Sequence, residues 1–437
     1  MALRPLAVLL CGFAVWTLRR EHLRGHKVLF GLAAATFVLV GMQLVPLPPS
    51  VWRHFPGREI VGEIDRLAEL GDVWRPISLV PVETWNALYS LFVPLAVLLL
   101  GVQLRRAELW RLLPVIIALG LLSALLGVLQ VIGGDGPFYL YRITNEGSAV
   151  GLFANRNHAA VFLACLFPML AVYASANAQT VEQARFRLWV SAISCLFIVP
   201  LLLVTGSRGG LLTGLIGLAS IPLLFRQPAI ATRPKRKVSR FNGAYIMGFL
   251  VVAGLGLLTI LLARAQAFDR LLAFDQKEEA RLLMWGPIAN MGHAYFPLGS
   301  GFGSFEKVYQ LDEPLAQLRS TYVNHAHNDL LEVYLTGGLA AVLLLAVAVA
   351  AWAVRTWKLW GGKARADADA NYARLASVLL FILGIASVAD YPLRVPSLAS
   401  FAVLAMVWLQ SDSNARRGVS KWGGTSDNSV LLRPQNS

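Results

Sequence analysis

Charge is what this chain has least of. Only 15% of its 437 residues are Asp, Glu, Lys or Arg, against roughly a quarter in a soluble domain. That shortage excludes an ordinary soluble fold, whose surface needs charge to stay in water. Acids are scarcer than bases, 25 against 39, for a net charge of +14. In a chain this apolar such an excess reports topology and attraction to anionic lipid before it reports nucleic acid. Cysteine is nearly absent: Cys11, Cys165 and Cys195 all lie within apolar runs. They read as lipid-phase packing residues rather than as a disulfide framework or a metal site. Also missing are a dinucleotide or P-loop fingerprint, an internal repeat of the kind inverted transporters carry, and a small-residue cleavage site after Met1–Leu18. The first apolar stretch is therefore read as a retained span.

What the chain has instead is hydrophobic length. It is 56% hydrophobic, with a mean hydropathy of +0.58. The apolar runs are continuous and not alternating, which selects helices over a barrel. Spans are expected at Pro5–Leu18, Val28–Val45, Trp85–Leu104, Leu112–Ile132, Ala159–Ala174, Trp189–Val204, Leu211–Phe225, Ala244–Leu262, Leu330–Val354, Ala376–Ala389 and Leu398–Leu409. The fold class is thus all-α, a polytopic transmembrane helix bundle of about 11 to 12 spans with a long periplasmic segment containing short helices. We divide it into an integral-membrane domain over 1–410, with the periplasmic segment at 264–328, and a disordered cytoplasmic tail over 411–437. That tail is rich in Ser, Asn, Gly and Arg.

The connections alternate in charge. One set is basic, including Arg19, Arg20, Arg24 and Lys27, then Arg105, Arg106 and Arg111, then Arg355 and Lys358. The other set mixes its bases with at least as many acids. The positive-inside rule places the basic set in the cytoplasm and the amino terminus outside. Every polar cluster without a topological role then falls on the outer face. These are Asn155-Arg156-Asn157-His158, Gly206-Ser207-Arg208-Gly209-Gly210, the segment holding Arg281, His325 with His327, and Asp390-Tyr391-Pro392-Leu393-Arg394.

The densest cluster is Thr321–Gly338, where His325, His327, Asn324, Asn328, Asp329 and Glu332 crowd the lip of an apolar helix. Such groups are costly there, so function is the default expectation. Helix capping accounts in part for Asn328 or Asp329, but for neither histidine. Sequence assigns the histidines no Asp or Glu partner that would make a metal site. Arg208 sits in a glycine turn suited to an anion, and is equally suited to snorkelling. Arg281 follows Phe268–Phe274 and precedes Leu282–Trp285 on a helix whose composition fits the membrane interface; its guanidinium faces either solvent or the site. The loop Gly299–Phe305 reads as a glycine-rich turn and not as a phosphate cradle. A histidine able to accept a proton near neutral pH, beside arginines able to hold a diphosphate, fits group transfer from a lipid-linked donor.

These residues resemble the O-antigen ligase and polymerase superfamily of bacterial integral-membrane glycosyltransferases. The likeness rests on Gly151–Asn157, Thr205–Gly210, Arg281–Trp285 with Gly299–Gly303, His325–Glu332 and Asp390–Arg394, within about residues 150–400. It implies an enzyme of the bacterial inner membrane with a periplasmic site, no cofactor and no metal. Arg208 and Arg281, with Arg156 beside them, would bind the diphosphate, and His327 would be the base. His325, Asn328, Asp329, Glu332, Asp390 and Arg394 would support them. The implied partners are an undecaprenyl-diphosphate-linked glycan donor, an acceptor hydroxyl on lipid A–core, glycan or protein, and membrane lipids, with no nucleic acid. Ligases of the family place Gly, Thr or Tyr where this chain has Ala341, which leaves polymerase, exopolysaccharide and protein-glycosylating roles open. A transporter or flippase of a lipid-linked anionic headgroup is the competing reading, and an envelope scaffold a third.

Overall fold

A computed structural model describes residues 3–133, 136, 138–231, 276–315, 318, 322–361 and 368–419, with the side chains of 276–282, 368–369 and 411–419 left out of that description. The expected span at Ala244–Leu262 lies outside the described residues. Elsewhere helices form where the apolar runs predict them. They are α1 (Leu3–Thr17), α2 (Arg20–Gly25), α3 (Lys27–Met42), α4 (Pro49–Trp52), α5 (Glu59–Leu67), α6 (Pro81–Ser90), α7 (Phe92–Gly101) and α8 (Arg106–Ile132). Then follow α9 (Arg156–Ala174), α10 (Val181–Val204), α11 (Arg208–Leu224), α12 (Gln276–Ala294), α13 (Phe305–Asp312), α14 (Asp329–Gly361), α15 (Ala368–Ala389) and α16 (Pro396–Val419).

Among the described residues there is no strand, only two isolated bridges, Leu47 to Arg75 and Ala178 to Ile230. Six stretches are long and apolar enough to cross a membrane: α6 with α7 as one unit, α8, α9, α10, α14 and α15. Four shorter apolar helices, α1, α3, α11 and the first part of α16, accompany them. The protein is an all-α polytopic bundle, as the continuous apolar runs predict.

The bundle is built around α9, whose spanning window is 83% buried, against 17–56% for the others. Its face of small residues explains this. A Cβ added at Gly210 on α11 would lie 2.3 Å from the Ala160 Cβ, and one at Gly217 would lie 2.5 Å from the Ala164 carbonyl. Glycine on one helix against alanine on the other brings the two backbones together, the usual basis of close helix pairing in lipid. Helix α15 packs on both, with Leu375, Leu379 and Ile382 fully buried. The starts of α9 and α11 and the finish of α15 therefore lie together. A Cβ at Gly209 would sit 3.9 Å from the Ala389 Cβ.

At that end of the bundle a layer of short helices and loops packs on the start of α14. Its hinge is Gly338, which has φ 62° and ψ −157° inside α14. That conformation is open to glycine and strained for any other residue. A Cβ there would lie 2.2 Å from the Pro297 carbonyl, and Leu339 N–H donates to that carbonyl at 2.8 Å. The break turns the first turns of α14 against the loop 299–304. Ser300 and Gly301 N–H donate to the carbonyls of Leu335 and Thr336, and Phe302 N–H donates to Gln43 Oε1. These amides are thus committed to protein acceptors, and the glycine loop serves as a splice. Gln43 completes it by donating to the Thr336 carbonyl.

Two further residues lock the layer. Arg58, buried, donates to the carbonyls of Gly299 at 3.0 Å, Pro56 at 3.2 Å and Ile77. It lies over the Tyr295 ring at 5.7 Å. Burial lowers its guanidinium to about 10, so it stays charged at neutral pH and serves as a fixed trident between three loops. Asp65 is buried on α5 and accepts from Arg75 Nε at 2.8 Å. That hydrogen bond holds the Asp65 carboxyl below its usual range.

Candidate active site

The chain reaches α14 through Asn324-His325-Ala326-His327-Asn328. Asn328 is the N-cap: its Oδ1 accepts from the N–H groups of Leu330 and Leu331 at 3.0 and 3.1 Å, as its residue type favours. Just before it, His327 has φ 48°, one of two non-glycine residues with positive φ among those described. Strain of this kind persists only where surrounding contacts enforce it.

Those contacts are carboxylates. His327 Nδ1 lies 2.9 Å from Asp390 Oδ1. Asp390, buried at the finish of α15, also accepts from Asn157 Nδ2 on α9 at 2.6 Å. His325 Nδ1 lies 3.1 Å from Glu332 Oε1, and the other Glu332 oxygen accepts from Ala326 N–H at 3.0 Å. Arg394 bridges the second set, with Nε 3.2 Å from Asp329 Oδ1 and a terminal nitrogen 3.1 Å from Glu332 Oε1. Each histidine therefore has its own carboxylate. Glu332 also pairs with the Arg394 guanidinium, and Asp390 also accepts from the Asn157 amide.

Tyr391 joins the two arms. Its ring centroid is 4.2 Å from that of His325, 5.0 Å from His327 and 5.0 Å from His158. It is held by the turn Pro392–Arg394, so both arms meet on one short connection between α15 and α16.

The arginines take their places at helix starts. Arg156 and Arg208 are the first residues of α9 and α11. The preceding Asn155 and Ser207 accept N–H bonds from Asn157 and Gly210. Two helix N-termini thus converge beside Asp390, and N-termini favour anions. Arg208 is exposed. Arg281 is on α12, and its side chain lies outside the described residues.

Of the residues singled out in the sequence, His325, His327, Asn328, Asp329, Glu332, Asp390 and Arg394 come together in one cluster, with Arg156 and Arg208 on the neighbouring helix starts. Asn157, His158 and Tyr391 belong to it as well. All three sit inside motifs visible in the sequence, but only the packing of α9 on α15 joins them.

A groove of about 1740 Å³ opens from the cluster. His325, Asn324, Asp329 and Arg394 line its polar mouth, and it continues between α3, α14, α15 and α16 along mostly apolar walls. A titratable cluster, two helix starts and an apolar groove thus meet at one end of the bundle of a multi-pass membrane protein. Residues 193–346, from α10 into α14, match the family model described as O-antigen ligase. That match supports the O-antigen ligase and polymerase superfamily. No curated protein matches the chain. The match supports glycan transfer of the ligase or polymerase type in general, with lipid-linked glycan donors and glycan acceptors.

Proposed function

We propose that this protein transfers a glycan from undecaprenyl diphosphate to an acceptor hydroxyl on the periplasmic face of the bacterial inner membrane, with His327 as the general base. The observation that carries the assignment is the hydrogen-bonded series Asn157, Asp390, His327, with distances of 2.6 and 2.9 Å. A carboxylate on Nδ1 fixes the tautomer with its proton there. That leaves Nε2 as the acceptor, and the carboxylate stabilises the imidazolium once it forms. His325, paired with Glu332, lines the mouth of the groove, and its part is to shape that mouth.

The step balances without a nucleotide. The acceptor oxygen gives its proton to His327 Nε2 and forms a bond to the anomeric carbon, and the bond from that carbon to the diphosphate oxygen breaks. The diphosphate leaves on its lipid carrying the negative charge. Arg156, Arg208 and Arg281 are assigned to hold that charge, aided by the N–H groups at the starts of α9 and α11. Asp329, Glu332 and Arg394 balance one another and keep the His-Asn turn in place. The apolar groove supports a lipid-borne substrate, because a polyprenyl or acyl chain fills such walls where a soluble sugar nucleotide does not.

The test is to incubate purified protein with undecaprenyl-diphosphate-linked glycan and candidate acceptors, with and without chelator, and to follow both donor consumption and acceptor mobility. We expect donor to be consumed equally in both conditions. We expect His327→Ala to lose about 10²- to 10⁴-fold in rate while eluting and melting like the wild type. Donor that is relocated across a vesicle but never consumed would favour a flippase and overturn the proposal. Full activity of His327→Ala would overturn the role of that histidine.

A further inference from the structure

The groove has a second charged end that the transfer chemistry does not use. Beyond the break at Gly338, Leu339 and Arg355 are 16 residues apart, roughly 24 Å of α14, which takes up most of a hydrocarbon core of about 30 Å. At the end remote from His325, the walls carry Arg24 from α2, Lys27 from the start of α3, and Arg355 and Lys358 from α14. The acidic side chains lining the groove are Glu83, Glu306 and Asp329. All three belong to the polar mouth: Glu83 and Glu306 flank the glycine splice, and Asp329 binds Arg394. The remote end is thus uniformly basic. Between the two ends the lining is apolar, with Leu29, Leu32, Ala402 and Met406.

Bases at helix ends are the ordinary signature of topology, and a scattering of them would mean nothing more. Here, however, four bases from three helices line one cavity. The cavity continues from them into an apolar slot long enough for an acyl chain. We propose that this end is a binding site for the phosphate headgroup of an anionic glycerophospholipid, whose acyl chains lie on the adjoining apolar walls at Leu29 and Met406, with the walls nearer the mouth left to the substrate's own chain. The occupant is a lipid and not free phosphate because the walls beyond the bases are mostly hydrocarbon, and the Thr36 hydroxyl among them is bonded to its own helix. One such lipid would seal the groove from the end opposite the reaction and fix the spacing of α3 and α14, leaving the polar mouth for substrate.

Delipidated full-length protein titrated with phosphatidylglycerol or phosphatidylethanolamine, and read by native mass spectrometry, tests the site. The wild type is expected to retain the anionic lipid more tightly than the zwitterionic one. Arg355→Ala/Lys358→Ala should weaken phosphatidylglycerol by roughly ten- to thirtyfold, at about 1 kcal/mol per base. Arg24→Ala/Lys27→Ala, on the opposite wall, should do the same and decides the matter if the first pair fails to fold. Arg105→Ala/Arg106→Ala removes two bases that do not line the groove and should change nothing. Equal affinity for both lipids, equal loss in the control pair, or displacement by millimolar inorganic phosphate would each overturn the site. Because His327→Ala should bind the lipid as the wild type does, this inference and the transfer reading fail separately.

Discussion

At the scale of single residues, the interest lies in two histidines that look alike in the sequence and differ in their partners. His327 meets Asp390, which is otherwise engaged by Asn157; His325 meets Glu332, which is otherwise engaged by Arg394. His327 stands where α9 and α15 meet, beside the starts of α9 and α11, and His325 stands at the mouth of the groove. His325→Gln should therefore keep most transfer activity, whereas His327→Gln should lose it, in parallel assays of donor consumption. Asp390→Asn preserves shape but removes the charge that stabilises the imidazolium and permits the wrong tautomer. We expect kcat to fall about 10²- to 10⁴-fold with KM little changed. Asn157→Ala only loosens that carboxylate and should cost roughly tenfold in kcat. An Asn157→Ala variant that raises KM with kcat intact would instead place this residue on the substrate.

At the scale of elements, glycines set where backbones meet. Gly338 hinges α14 onto the loop 299–304, and neither its φ nor its contact with the Pro297 carbonyl admits a side chain. Gly338→Ala should cost about 1–3 kcal/mol from backbone strain alone, seen as a lower Tm in detergent, and should reduce activity with it because the His-Asn turn lies at the start of the same helix. Ala341, where the resemblance leads one to expect Gly, Thr or Tyr, is buried one turn beyond this hinge, and a Cβ at Gly337 would lie 2.3 Å from its Cβ. Position 341 is therefore a packing position next to the splice. The short helices carry a pH-dependent contact. Because Arg75 holds the Asp65 carboxyl low, the stabilisation by this pair is fully present above the ordinary carboxylate pKa of about 3.9. It is lost as pH falls through the lower folded value. Thermal unfolding followed from pH 6 downward should show a drop below about pH 4 that is smaller in Asp65→Asn.

At the scale of the whole molecule, the described residues form a helix bundle with the paired histidines and buried carboxylates at one end and an apolar groove leading from them to a basic one. Low charge and continuous apolar runs were enough to require helices, since lipid offers no other way to satisfy the backbone. Those runs fell on the long helices found, but α10, α14, α15 and α16 extend seven to ten residues past them at one end, and the short helices lie outside them. The polar motifs were legible too, because a histidine or arginine beside an apolar span is too costly to be casual. What could not be read was which motif touches which. Asp390 follows His327 by 63 residues, and Asn157 precedes Asp390 by 233. Periodicity is local and carries no term for such pairs. Tyr391 passes for an ordinary turn residue until its ring is seen between three imidazoles. Sequence by itself determined the class of molecule and the stock of chemical groups. Only the tertiary structure decided that Asp390 belongs to His327 and Glu332 to His325, because close packing of glycine on alanine between α11 and α9, with α15 against both, brings those distant ends together.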